Sequence, residues 1–199
     1  MMKPPLRRLQ FGLRALFLAT LAVALVTGWY VSRYRQMRRV AHVLEKHGAP
    51  FLKGTTAHPW YDRLPFLNPP PRIVEVHLGP SADMASIMPE LRAVGTVSRV
   101  CVFDLTTHDM ELLSQIDSIR TVEASQGLTT EQLRPLLSLP LEEYSVRGAD
   151  VDISRADLEL LLSLPTMRRI GMAAGESGVP PELRARRPDV SYYITDFPP

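Results

Sequence analysis

A single cysteine, Cys101, stands in 199 residues, so the chain can close no disulfide of its own and can build no multi-cysteine metal site. Phosphate-binding loops are missing too: the run Gly171–Gly178 (GMAAGESG) lacks the Lys-Ser/Thr ending of a nucleotide loop and reads as a loose loop. His42, His47, His58 and His108 share no metal spacing; His42 and His47 are five apart, off a common helical face. Asp104, Asp109, Asp150 and Asp152 fit no calcium-loop spacing and read as turn or cap residues. No cofactor or metal is expected from these patterns.

Positive charge is scarce where nucleic acid would need it. Met1–Lys53 holds ten Lys/Arg against Glu45 alone (+9), whereas Gly54–Pro199 holds thirteen Lys/Arg against twenty Asp/Glu (−7). A basic arm beside an apolar run suits anionic lipid headgroups, and an acidic folded part disfavours nucleic acid. The remaining composition, 45% hydrophobic and 22% charged, allows one compact domain and excludes wholesale disorder. Three segments are expected: a basic tail and membrane helix over 1–34, a juxtamembrane helix and Pro-rich linker or cap over 35–72, and a repeat domain over 73–199.

Ala15–Ser32 (ALFLATLAVALVTGWYVS) carries no charge across eighteen residues, which as a helix would span about 27 Å. No polar stripe interrupts it, as a soluble core helix would require. Trp29 and Tyr30 sit at one end, where amphipathic rings favour headgroups, and Arg33, Arg35, Arg38 and Arg39 follow. Ala22-Val23-Ala24 offers a signal-peptide cleavage site, but strongly apolar residues continue past it. The expectation is a retained single-pass anchor with the folded part on the non-cytoplasmic side, although both flanks are basic. Arg35–Lys46 keeps helical spacing through Met37, Val40, Ala41 and Leu44, and Gly48 with Pro50 supplies a stop. From Pro50 to Arg72 regularity fails; Pro59, Pro65 and Pro69-Pro70-Pro71 predict a stiff spacer whose Trp60, Tyr61, Phe66 and Leu67 dock as a cap.

Beyond the spacer a short apolar pattern recurs: Ile73-x-x-Val76-x-Leu78, Val97-x-x-Val100-x-Val102, Ile119-x-x-Val122-x-Ala124, Leu141-x-x-Tyr144-x-Val146, Met167-x-x-Ile170-x-Met172, and the fragment Val190-x-x-Tyr193. Successive starts are 24, 22, 22, 26 and 23 residues apart. Between them the period changes from two to helical, and Leu128–Pro140 (LTTEQLRPLLSLP) nearly copies Ile153–Pro165 (ISRADLELLLSLP). Thr129 and Ser154 are placed to cap these helices, and Pro140 and Pro165 precede the next strands. One strand–helix unit cannot cover its own apolar side, so the units are expected to stack into an α/β solenoid of about five repeats with a parallel sheet.

With this pattern the chain resembles short leucine-rich-repeat proteins of bacteria that carry an N-terminal membrane anchor. Thr107, Asp109 and Leu112 follow Val102, and Ile153-Ser154 precede Asp157-Leu158, as in such repeats. Leu105 and Ala149 stand where common leucine-rich repeats carry asparagine. The resemblance implies a binding scaffold and brings no catalytic residues with it.

In a stacked parallel sheet the residues between the apolar positions line one outer face. That face is expected to present Glu75, His77, Arg99, Cys101, Thr121, Glu123, Glu143, Ser145, Arg169 and Tyr192 to a protein partner, its mixed charge favouring protein over a small apolar ligand. Two other readings compete. His77, Cys101 and Glu123 share a column with Ser145 and Gly171 and lie within reach of one another as a thiol-enzyme row, though a flat sheet provides neither oxyanion hole nor water-free pocket. Alternatively the domain is a spacer that binds nothing.

Overall fold

A computed structural model describes residues 6–54, 72–147, 153–173 and 175–195. The chain opens with α1 (Leu6–Lys46), followed by β1 (Phe51–Gly54) and β2 (Arg72–Leu78). Helices and strands then alternate: α2 (Met84–Val94), β3 (Arg99–Val102), α3 (Thr107–Leu113), β4 (Thr121–Ala124), α4 (Thr130–Leu136), β5 (Glu143–Val146), α5 (Arg155–Leu162) and β6 (Arg169–Met172). A 3₁₀ turn (Gly175–Gly178), α6 (Pro181–Arg186) and β7 (Ser191–Ile194) complete the described part.

The strands form one sheet in sequence order, β1 to β7, with β2–β7 all parallel. The expected repeat explains this order. Val76, Val100, Val122, Tyr144 and Ile170 are register partners on the inner side, and each joins one continuous core with the apolar stripes of the helices, among them Ile87, Leu91, Met110, Leu133, Leu136 and Leu161. Burying one such side chain completely is worth about 1.5–3 kcal/mol, and no single unit could do it alone.

The passages into α2, α3, α4 and α5 each use a short polar side chain to satisfy amides that the first helical turn leaves unpaired, whereas α6 starts at Pro180 without a side-chain cap. Asp83 caps α2 and Ser154 caps α5, while Thr106 with Asp109 and Thr129 with Gln132 form reciprocal capping boxes on α3 and α4. Polar links also run from unit to unit. The Thr96 hydroxyl donates to Ile73 O at 2.9 Å, Ser118 to Val97 O at 2.7 Å, and Thr130 to Asp157 Oδ1 at 2.7 Å. Leu105, at the asparagine position of common leucine-rich repeats, is buried in the core instead. Near the far end, the Arg187 guanidinium donates to the carbonyls of Leu162, Leu164 and Met167 while gripping Asp189.

Three expectations need correction. The segment after Pro50 is not irregular from its start: Phe51–Gly54 is strand, antiparallel to β2, with Phe51 opposite Val76. Phe51–Gly54 (FLKG) has no counterpart in the recurring apolar pattern that marks the other four-residue strands, so β1 was hidden. Of Gly171–Gly178, expected as a loose loop, Gly171 and Met172 belong to β6 and Gly175–Gly178 is a 3₁₀ turn entered through Gly175 at φ +55, where an added Cβ would fall 2.6 Å from Ile194 Cγ1. The last unit is also one residue shorter than its apparent pattern, since Ile170 pairs with Tyr192 and Gly171 with Tyr193. The aromatic spacer (Trp60, Tyr61, Phe66, Leu67), Ala149, Asp150, Asp152, His58 and Phe197 lie outside the described residues.

α1 has two halves of opposite character. Its N-terminal part is long and apolar enough to cross a membrane, and none of that apolar window is buried in the protein; Leu16, Phe17, Leu18 and Leu25 stand free. The Thr20 hydroxyl returns a bond to Leu16 O at 2.8 Å, which satisfies the polar group within the helix. About one turn beyond Ser32 the same helix docks on the domain. Gln36 Nε2 donates to Ala93 O at 2.8 Å, Arg39 pairs with Glu90 at 2.9 Å, and Val40 and Leu44 are fully buried. Gly48 then turns the chain at φ +68. Leu44→Ala is therefore expected to destabilise the domain by about 2–5 kcal/mol, whereas Leu18→Ala in the same helix leaves its urea midpoint unchanged in detergent; equal effects would refute this division of labour.

Candidate functional site

Side chains on the outer side of the sheet form two rows, because parallel register places equivalent residues about 4.8 Å apart on neighbouring strands. Glu75, Arg99, Thr121, Glu143, Arg169 and Ser191 make the first row; His77, Cys101, Glu123, Ser145, Gly171 and Tyr193 make the second. Nine of the ten predicted face residues fall on these rows. Tyr192 does not. It packs against the core opposite Ile170, and Tyr193 takes the outer position, because a slip of one residue in a strand reverses every side chain.

The face is less open than alternation alone suggests. Cys101, Glu123, Glu143 and Ser145 are buried, roofed by neighbouring side chains. Arg147, one residue past β5, lies over Glu123 and pairs with its Oε1. Arg99 reaches both Glu75 Oε2 at 4.0 Å and Glu143 Oε2 at 3.8 Å. Arg169 donates to Glu143 Oε2 at 2.8 Å, and the Tyr193 hydroxyl donates to Glu143 Oε1 at 2.7 Å. The three guanidinium side chains are 41–58% exposed and the three carboxylates 14% or less. Solvent therefore meets arginine, with glutamate beneath holding each one in place. Arg147 and Tyr193 are the residues that sequence reasoning missed; continuing the period-two alternation past the apolar core of β5 would have found the first.

Gly171 exists in β6 for a steric reason. A Cβ there would lie 2.7 Å from Tyr193 Cζ, 2.8 Å from Ser145 Cβ and 2.8 Å from Thr195 Cγ2, so only glycine lets the Tyr193 ring lie across the sheet toward Glu143.

At the other end of the second row, His77, Cys101 and Glu75 converge. His77 Nε2 lies 2.9 Å from Glu75 Oε1, and the Cys101 thiol sits between carboxylates, 3.6 Å from Glu75 Oε1 and 3.7 Å from Glu123 Oε2. Phe103 stacks on the imidazole with centroids 6.2 Å apart. Burial, then the negative charge of Glu75, pushes the thiol up to about 11, so Cys101 is protonated at neutral pH. An activated nucleophile needs the opposite shift. A separate groove of about 910 Å³ runs on the helix side between α3 and α4, lined by Thr107, Glu111, Thr130, Glu131, Arg134 and others, and it contains none of the predicted face residues.

No protein-family model, curated protein or solved structure matches the chain.

Two measurements follow. Gly171→Ala is expected to cost about 1–3 kcal/mol by overpacking, part of it recovered in a Tyr193→Ala background; full additivity in denaturant melts would break the steric link. Alkylation of Cys101 by iodoacetamide should be slow at pH 7–8 and accelerate as pH rises toward 11, since only the thiolate reacts; a rate already level at pH 7 would contradict the raised thiol.

Proposed function

We propose that the protein is a membrane-anchored, non-catalytic scaffold of leucine-rich-repeat-like character that binds a protein partner through the outer face of its sheet. Ala15–Ser32 crosses the bilayer once, the basic N-terminal tail stays inside, and the repeat domain faces the non-cytoplasmic side. The observation that carries this reading is the arginine layer. Arg99, Arg147 and Arg169 stand half-exposed along one face, each paired with a buried or nearly buried glutamate. A guanidinium held in place by its own carboxylate gives up little conformational freedom on binding, and arginine is among the side chains that dominate interface energies. Tyr193, half-buried beside them, adds an aromatic surface with an anchored hydroxyl.

The partner best suited to this layer offers carbonyl and carboxylate oxygens to the free edges of the guanidinium groups. Across the three arginines and the three glutamates the net charge is zero, so binding specificity comes from the positions of donors more than from long-range attraction. The repeat spacing of 22–26 residues and the sequential parallel strands support the leucine-rich-repeat likeness. The protonated, covered state of Cys101 supports a non-catalytic role.

A membrane-impermeant crosslinker applied to intact cells tests location and surface together. The native chain should be captured with a defined partner, and the triple reversal Arg99→Glu, Arg147→Glu, Arg169→Glu should lose that partner while staying in the membrane fraction. Recovery of the same partner by the triple variant refutes the face assignment, and failure of the native chain to be labelled at all refutes the proposed side.

A further inference from the structure

The cluster at the His77 end of the face has a property that the arginine layer does not use. Three side chains of metal-ligand type converge from two adjacent strands, Glu75 and His77 from β2 and Cys101 from β3, and Glu123 on β4 meets them through the thiol alone. The ligand atoms of Glu75, His77 and Cys101 all lie within 4.8 Å of one another. Individual separations are 2.9 Å from His77 Nε2 to Glu75 Oε1, 3.6 Å from Glu75 Oε1 to Cys101 Sγ and 3.7 Å from Cys101 Sγ to Glu123 Oε2. A tetrahedral site with bonds of about 2.0–2.3 Å has ligand–ligand edges of about 3.3–3.8 Å. The two separations to Cys101 Sγ fall within that range, the His–Glu edge opens to it when that hydrogen bond is replaced by two bonds to one ion, and Glu123 Oε2 has to move toward the ion from its contact on the sulfur.

We propose that Glu75, His77 and Cys101 form a Zn²⁺ site on the outer face of the sheet, with Glu123 swinging in from the sulfur as the fourth donor. The donor set is one imidazole nitrogen, one thiolate sulfur and two carboxylate oxygens, the mixture that a borderline-soft divalent ion accepts and that Mg²⁺ and Ca²⁺, which prefer all-oxygen shells, do not. The surroundings that disfavour a free thiolate favour a cation: two carboxylates flank the sulfur, and Glu123 is more than nine-tenths buried with Oε2 directed at it.

A second layer of contacts orients the donors, as in working metal sites. Arg147 holds Glu123 Oε1, leaving Oε2 toward the sulfur. Arg99 lies 4.0 Å from Glu75 Oε2, leaving Oε1 toward the site. Phe103 lies parallel to the imidazole within 15° and limits its rotation. On binding, the Cys101 S–H bond breaks, a Zn–S bond forms and one proton leaves to solvent; the neutral imidazole keeps its proton on Nδ1 and coordinates through Nε2. No electron is transferred. The thiolate and Glu75 neutralise the ion, and Arg147 neutralises Glu123, so the occupied cluster carries no net charge. The site stands independently of the partner proposed above, because its donors all belong to this chain.

The test uses the full-length, tag-free, reduced protein in detergent micelles, titrated with Co²⁺ as a spectroscopic stand-in for Zn²⁺. One equivalent is expected to produce the near-ultraviolet thiolate-to-cobalt band with the visible bands of a four-coordinate ion, and Zn²⁺ should bleach both. About one proton should be released per ion, so apparent affinity rises with pH. Cys101→Ser and His77→Gln should each weaken binding by at least about 100-fold, while Glu142→Gln, outside the cluster, leaves it unchanged. Absence of the thiolate band, or equal affinity in His77→Gln, overturns the proposal. The histidine variant decides the matter even if Cys101→Ser fails to give the native circular dichroism spectrum.

Discussion

The structure depends on one constraint: a strand–helix unit of 22 to 26 residues has an apolar side it cannot cover by itself. Each unit must lend that side to its neighbours, and the only arrangement that does so for every unit is sequential stacking. The parallel order of β2–β7 follows, and so does a single core running from Val40 and Leu44 at one end to Leu183 and Val190 at the other. Arg187 shows the same constraint at the far end, where its guanidinium satisfies three carbonyls of the preceding unit.

The polar face is a consequence of that stacking. Once the inner residues are in register, the outer ones are brought to a spacing of about 4.8 Å whether or not they suit each other. Here they do. Glutamates on β2, β4 and β5 alternate in space with arginines from β3, β6 and the end of β5, so charges that are far apart in sequence compensate locally. Such pairs add little to stability when exposed, but with the carboxylates buried they fix side-chain positions. Gly171 shows how tight the arrangement is, since the space its missing Cβ would need is filled by Tyr193.

α1 joins two surfaces of opposite character in one element. Its apolar half requires lipid or another apolar cover, while Val40 and Leu44 cover the exposed end of the first unit, and only about one turn separates the regions. The helix long and apolar enough to cross a membrane is thus also the cap. A domain joined in this way has its orientation set by the helix, without a flexible tether between Ser32 and the first docking contact at Gln36.

Much of this was legible in the residues. The apolar run, the repeat interval, the alternation of strand and helix, the stop at Gly48 and the caps at Thr129 and Ser154 are local properties, set by hydrophobic periodicity and by the hydrogen-bonding chemistry of single side chains. β1 was not, because its four residues lie outside the repeat that made the equally short later strands recognisable. Nor was the slip that turns Tyr192 inward and Tyr193 outward, since Val190-x-x-Tyr193 imitates the preceding repeats and only pairing with β6 sets the register. The membership of the outer face from β2 to β6 was determined by the sequence, through the alternation of its strands, and only that of β7 waited on the pairing. Its covering was decided by tertiary structure: whether a glutamate on that face is solvated or roofed depends on where an arginine from the next unit comes to rest, and that distance is created only when the units stack.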